Sequence, residues 1–85
     1  MYLHLGQEVV VKHRDIVGIF DLEKTTLSKA TKDFLSQATK EGRVITVSYE
    51  MPKSFVVVLE DGKNMVYISQ ISAATLKKRA ESNGV

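Results

Sequence analysis

The stretch VVVKHRDIVGIF, Val9 to Phe20, decides how the N-terminal third folds. Two apolar runs flank Lys12, His13, Arg14 and Asp15. β-Branched and aromatic runs of this length read as strands. The gap between them holds no Gly, Asn or Pro, the residues that tight hairpin turns use. The periodicity predicts three strands, 2–5 (YLHL), 8–12 (EVVVK) and 15–20 (DIVGIF), forming one antiparallel unit with Lys12–Arg14 at a connection. That connection gives up turn propensity for three potential cations, and positions that break local rules are enriched in function.

Working outward, residues 27–40 (LSKATKDFLSQATK) change period. Leu27, Ala30, Phe34, Leu35 and Ala38 form one apolar stripe at helical spacing, and Gly42 stands where a helix C-cap belongs. Residues 43–49 (RVITVSY) alternate, with Ile45, Val47 and Tyr49 on one side and Thr46 and Ser48 on the wetter side. Residues 55–59 (FVVVL) are continuously apolar and read as a central strand. Asp61-Gly62 is the strongest hairpin signal in the chain, and residues 65–69 (MVYIS) return as its second strand. Ser72 is a helix N-cap for a last helix whose narrow apolar face is Ala73, Leu76 and Ala80. Gly18, inside a strand, marks a bulge or a close backbone approach. The order is βββ-α-βββ-α, an α+β fold over one domain, residues 1–85.

The chain has 85 residues, 44% of them hydrophobic, which supports a packed core of modest size. It has no cysteine, so neither a disulfide nor a thiolate metal site is available, which fits a reducing cytoplasm. No apolar run approaches the roughly 20 residues that span a bilayer. The N-terminus alternates in polarity and carries an acid, unlike a signal peptide. A soluble, cytoplasmic protein without a membrane partner is the expectation. The short N-terminal strands leave an exposed edge, which pairing with another subunit would cover.

The two histidines, His4 and His13, lack the cysteines or tight acidic cluster of a metal site. No nucleophile elbow, P-loop or dinucleotide fingerprint is present. The sequence therefore reads as no enzyme, with no cofactor, no metal and no evident small-molecule substrate. His4 is expected on the polar side of its strand. Three basic features remain: Lys12-His13-Arg14, Lys53 at the mouth of the central strand, and Lys77-Lys78-Arg79 near the end of the last helix. Cations at a helix C-terminus are stabilising by themselves, so the last cluster has a structural explanation. Arginine suits bidentate phosphate contact, which singles out Arg14. A net charge of +2 makes one copy a weak nucleic-acid binder.

The segments HLGQEVVVKHRDIVGIFD (4–21), KSFVVV (53–58) and VYISQISAATLKKR (66–79) resemble the extracellular-matrix regulator family, RemA and RemB, of spore-forming Gram-positive bacteria. The resemblance covers roughly residues 1–80. It implies a DNA-binding transcriptional regulator of biofilm-matrix genes, assembled into a closed ring with subunit pairing similar to LytTR-type domains. Arg14 matches a family arginine needed for DNA binding. RemA-like members also carry two adjacent arginines before the central strand, where this chain has Met51 and Pro52, then Lys53. The expected contacts are to double-stranded DNA phosphates, from Arg14, Lys12, His13 and Lys53, with Lys77, Lys78 and Arg79 as further candidates. The rival reading is a protein–protein interaction module with weak or no DNA binding.

Overall fold

The computed structural model describes residues 1–25 and 28–83. Strands β1 (Tyr2–Gly6) and β2 (Val9–Lys12) pair antiparallel as an isolated two-stranded sheet. A 3₁₀ turn over His13–Asp15 leads to β3 (Ile16–Asp21), followed by one helical turn, α1 (Leu22–Thr25). Helix α2 (Lys29–Lys40), β4 (Val44–Thr46), β5 (Ser54–Glu60), β6 (Lys63–Ser69) and α3 (Ala73–Asn83) complete the chain. The second sheet has the order β3-β5-β6-β4, with β4 parallel to β6 and the other pairs antiparallel.

The α+β class holds, and the strands and the two longer helices follow the expected order with the short α1 added between β3 and α2, but the expected three-stranded N-terminal unit does not form. β3 leaves β1 and β2 and pairs with β5. The reason lies in its sequence: Phe20 and Ile19 point to opposite faces, each with a separate core to fill. Ile19 packs with the core of Leu3, Leu5, Val11, Val56, Val58 and Leu76. Phe20 packs with that of Ala38, Phe55, Val57 and Val66. The larger sheet is thus covered twice, by the hairpin and α3 on one face and by α2 on the other. This explains the unbroken apolar run of β5, since a strand buried on both faces has no wet side.

Gly18 shows both features expected of a strand glycine. The register slips between Ile16 and Gly18, leaving Val17 as the extra residue of a bulge. A Cβ on Gly18 would lie 2.6 Å from the Phe20 ring. Its absence lets that ring stack on Phe55 at 4.9 Å between centroids.

Helix α2 ends as the sequence suggests. Gly42 adopts φ +72°. Its N–H bonds to Thr39 O and the Arg43 N–H to Ala38 O, the paired contacts of a Schellman cap. Phe34 and Leu35 are half-buried and Ala38 is fully buried, whereas Ala30 is exposed; Leu27 of the expected stripe lies outside the described residues. Asp61 and Gly62 take φ 49° and 79°, the left-handed pair that a type I′ hairpin turn requires. At α3, the Thr75 N–H donates to Ser72 Oγ, so Ser72 is the N-cap.

The 43–49 strand is shorter than expected. Only Val44–Thr46 pair with β6, and Tyr49 is 95% exposed while Ser48 is buried. Alternation fails beyond Val47 because the chain turns away there: the Ser48 hydroxyl donates to Gln70 Oε1 and accepts the Glu50 N–H. Two other buried serines were not foreseen. Ser54 and Ser69 face each other across β5 and β6. Ser54 Oγ donates to Ile71 O, and Ser69 Oγ donates to Leu5 O, tying the hairpin to the larger sheet.

Candidate nucleic-acid interface

The Lys12–Asp15 connection crosses from one sheet to the other. Lys12 ends β2 and the next three residues form the 3₁₀ turn, anchored by the His13 N–H to Met1 O at 3.1 Å. Lys12 and Arg14 are exposed, and His13 between them is half-buried. The His13 Nε2 is shielded from solvent and has no hydrogen-bond partner among the described residues. The turn therefore exposes two cations, while the half-buried His13 ring lines the cleft between them with its Nε2 shielded. Among the described residues, neither Lys12 nor Arg14 forms an ion pair, Asp15 included. Met1, Tyr2, Lys12, His13 and Arg14 line a shallow cleft of about 490 Å³ that contains no carboxylate.

Lys53 sits elsewhere. Its N–H donates to Ser69 O and its carbonyl accepts from the Leu22 N–H, so its backbone is fixed while its side chain is exposed. It precedes Ser54, which pairs with Asp21, whereas Ile16, just after the 3₁₀ turn, pairs with Val58. Arg14 and Lys53 thus occupy opposite ends of β5, about 20 Å apart at strand rise. One subunit does not bring them together.

Around Lys53 the surface is mixed. Asp21, Leu22, Glu23, Met51, Pro52, Lys53 and Ser72 line a cleft of about 520 Å³. Met51 is 82% exposed beside Tyr49. The prominence of Tyr49 was missed because its strand was read three residues too long at its end, to Tyr49 instead of Thr46; the neighbouring Pro52 was the available signal that the strand ends early.

Lys77, Lys78 and Arg79 are exposed on α3, Lys78 opposite the Ala73–Leu76–Ala80 face and the other two flanking it. The helix continues to Asn83, so none of the three lies in its last turn. The helix-terminus explanation for this cluster loses its force. His4 is exposed, with Nε2 2.6 Å from Gln7 O.

The family RemA-like, described as extracellular matrix regulatory protein A-like, matches residues 2–80. The chain belongs to the RemA-like family. It is 42% identical over 81 residues to extracellular matrix regulatory protein B of Bacillus subtilis (strain 168), covering 95% of this chain and 91% of that protein. The RemA-like name denotes regulation of extracellular matrix, which suggests a regulatory role and names no enzymatic activity. Among the described residues, no helix is long and apolar enough to cross a membrane.

Proposed function

We propose that this RemA-like chain is a cytoplasmic, DNA-binding transcriptional regulator of extracellular-matrix genes that works as a ring-like homo-oligomer with LytTR-like subunit pairing. Contacts go mainly to the phosphates of double-stranded DNA, from Arg14 and Lys12, with His13 as a weaker contributor and Lys53, Lys77, Lys78 and Arg79 as additional cations. The observation that carries this reading is the 3₁₀ turn, which exposes Lys12 and Arg14, unpaired among the described residues, beside a cleft lined by no described carboxylate. The family membership supports the regulatory part. One copy carries too little charge to bind tightly, so repetition supplies the affinity: linked sites gain avidity without new contacts.

The test is Arg14→Ala, followed by mobility shift at two salt concentrations, thermal melting and light scattering on one preparation. An exposed side chain without partners costs within about 0.5 kcal/mol to remove. The variant is expected to stay folded and assembled while losing the DNA shift at moderate salt. Each lost phosphate contact flattens the log–log salt slope by about 0.9. A variant that binds like the parent would favour the interaction-module reading, for which the exposed Tyr49 and Met51 are the specific observation.

A further inference from the structure

Within the 3₁₀ turn, His13 is placed unlike its neighbours. Lys12 and Arg14 are exposed, whereas the His13 ring is half-buried and its Nε2 is shielded without a partner among the described residues. A neutral imidazole tolerates this place better than a charged one. Neutral, it carries one N–H and one acceptor nitrogen; charged, it carries two N–H donors, and each needs an acceptor. No described residue offers one to Nε2. The ring lines the same cleft as Met1, Tyr2, Lys12 and Arg14, where no described residue supplies a carboxylate. The neighbouring carboxylates belong to an adjoining cleft, which Tyr2 and Lys12 line with Asp15, Glu60 and Asp61. Glu60 there already accepts the Tyr67 hydroxyl. Lys12 borders both clefts, so its charge is shared between them. Arg14 borders the first alone. A charge on His13 would therefore add substantially to what that cleft offers an anion.

We infer that this cleft is a proton-coupled phosphate site: a phosphate group enters against Arg14 and Lys12, and His13 takes up a proton as it binds. The ring lines the cleft, so a turn about its side-chain bonds brings Nε2 to a phosphate oxygen. That oxygen is the acceptor that the surrounding residues withhold. The imidazole gains one proton from solvent, its Nε2–H donates to the anion, and no other bond forms or breaks. Reciprocity sets the sign: if protonation favours the anion, the anion favours protonation by the same factor. Imidazole changes charge between about pH 5 and 8, so phosphate is held more tightly toward the acid side of that window. The other titratable or charged groups around the ring are the Met1 amino group, Tyr2, Lys12 and Arg14, with Asp15, Glu60 and Asp61 across Lys12. Of these types, only imidazole and an α-amino group ordinarily titrate in that window, and a variant of His13 separates the two. The inference deepens the phosphate-binding reading of the same turn and rests on it.

The chain has two histidines, so one serves as an internal control. His4 is exposed on β1, with its Nε2 against Gln7 O. Histidine labelled with ¹³C at Cε1 gives one NMR signal from each, assigned with His4→Gln. Both signals are followed from about pH 5 to 8 in sulfate, a tetrahedral dianion of constant charge over that range, and in chloride at equal ionic strength. Sulfate is expected to raise the His13 midpoint by about 0.7 pH unit or more, a fivefold coupling, and to leave His4 where chloride leaves it. A His13 midpoint that the two salts move alike overturns the inference. Mobility shifts of duplex DNA at about pH 6.5 and 8 then identify the source of the phosphate. The parent is expected to bind about fivefold or more tightly at the lower pH, and His13→Phe to show no such difference. A pH dependence that persists in His13→Phe would assign it to the amino group and overturn the role of His13. DNA binding with neither a pH dependence nor a sulfate response would remove this inference and leave the DNA reading intact. A sulfate response without a DNA shift at either pH would keep the site, for free phosphate monoesters, and remove the DNA reading.

Discussion

Two connections lie at the same end of the larger sheet and are built by different rules. Glu60–Lys63 joins β5 to β6 within one sheet, and its Asp61-Gly62 supplies the two left-handed residues such a turn demands. Lys12–Asp15 joins β2 to β3 in different sheets, and its 3₁₀ turn between extended flanks places no left-handed residue. Missing turn chemistry at the second connection is therefore first a sign that the chain changes sheets. The backbone accepts almost any residue there. What it leaves unexplained is the choice of two outward cations, and that choice carries the functional argument.

The contrast is sharpest where side chains join the backbone in holding the hairpin. The Tyr67 hydroxyl donates to the Glu60 carboxylate, and burial, followed by that carboxylate, pushes the phenol up to about 12 from 10.0. Between those values the unfolded phenol ionises while the folded one keeps its proton. The folded state then binds more protons, so stability falls as pH rises through about 10 to 12. Urea titrations across that range should show the loss, and Tyr67→Phe should flatten it. A parent and variant with the same alkaline slope would mean that this bond does not hold the hairpin.

A smaller effect is expected at Gly62, with φ +79° and open space around it. A β-branched side chain there strains the backbone without clashing. Gly62→Val should cost about 1–2 kcal/mol, lowering Tm by roughly 4–16 °C. An unchanged melting curve would erase the distinction between the two connections.

The smallest effect belongs to the crossover. His13→Phe keeps a ring of similar size and removes a buried nitrogen that has no partner among the described residues. It should leave stability unchanged or raise it by up to about 1 kcal/mol. In a mobility shift it should weaken DNA binding far less than Arg14→Ala. A loss as large as that of Arg14→Ala would make His13 an equal contact.

The parts legible in sequence were those fixed by local rules. Gly42, Asp61-Gly62 and Ser72 each announce a cap or turn because the backbone there admits few residues. FVVVL announced a central strand because no other place buries four apolar residues in a row, Phe55 to Val58; Leu59 beyond them is exposed. The sheet assignment of β3 was hidden, since strand pairing depends on which core each face meets, and period-2 alternation is the same in either sheet. Arg14 was legible as an unusual cation. Its distance from Lys53 was not, because it follows from the antiparallel register of β3 on β5.

β5, buried on both faces, also shapes how the chain behaves before it is finished. Residues 55–59 carry high β-propensity, no charge and no proline, the composition of segments that self-associate when exposed. Their safe burial draws on the whole chain: β3 on one edge, β6 on the other, α2 on one face, the hairpin and α3 on the other. During synthesis β6 and α3 follow β5, so this segment waits with an open edge and a half-covered face. The charges bracketing it, Lys53 before and Glu60-Asp61 after, are placed where gatekeeper residues oppose stacking. Solubility on the way to the native state thus depends on how quickly β6 and α3 close over that one strand.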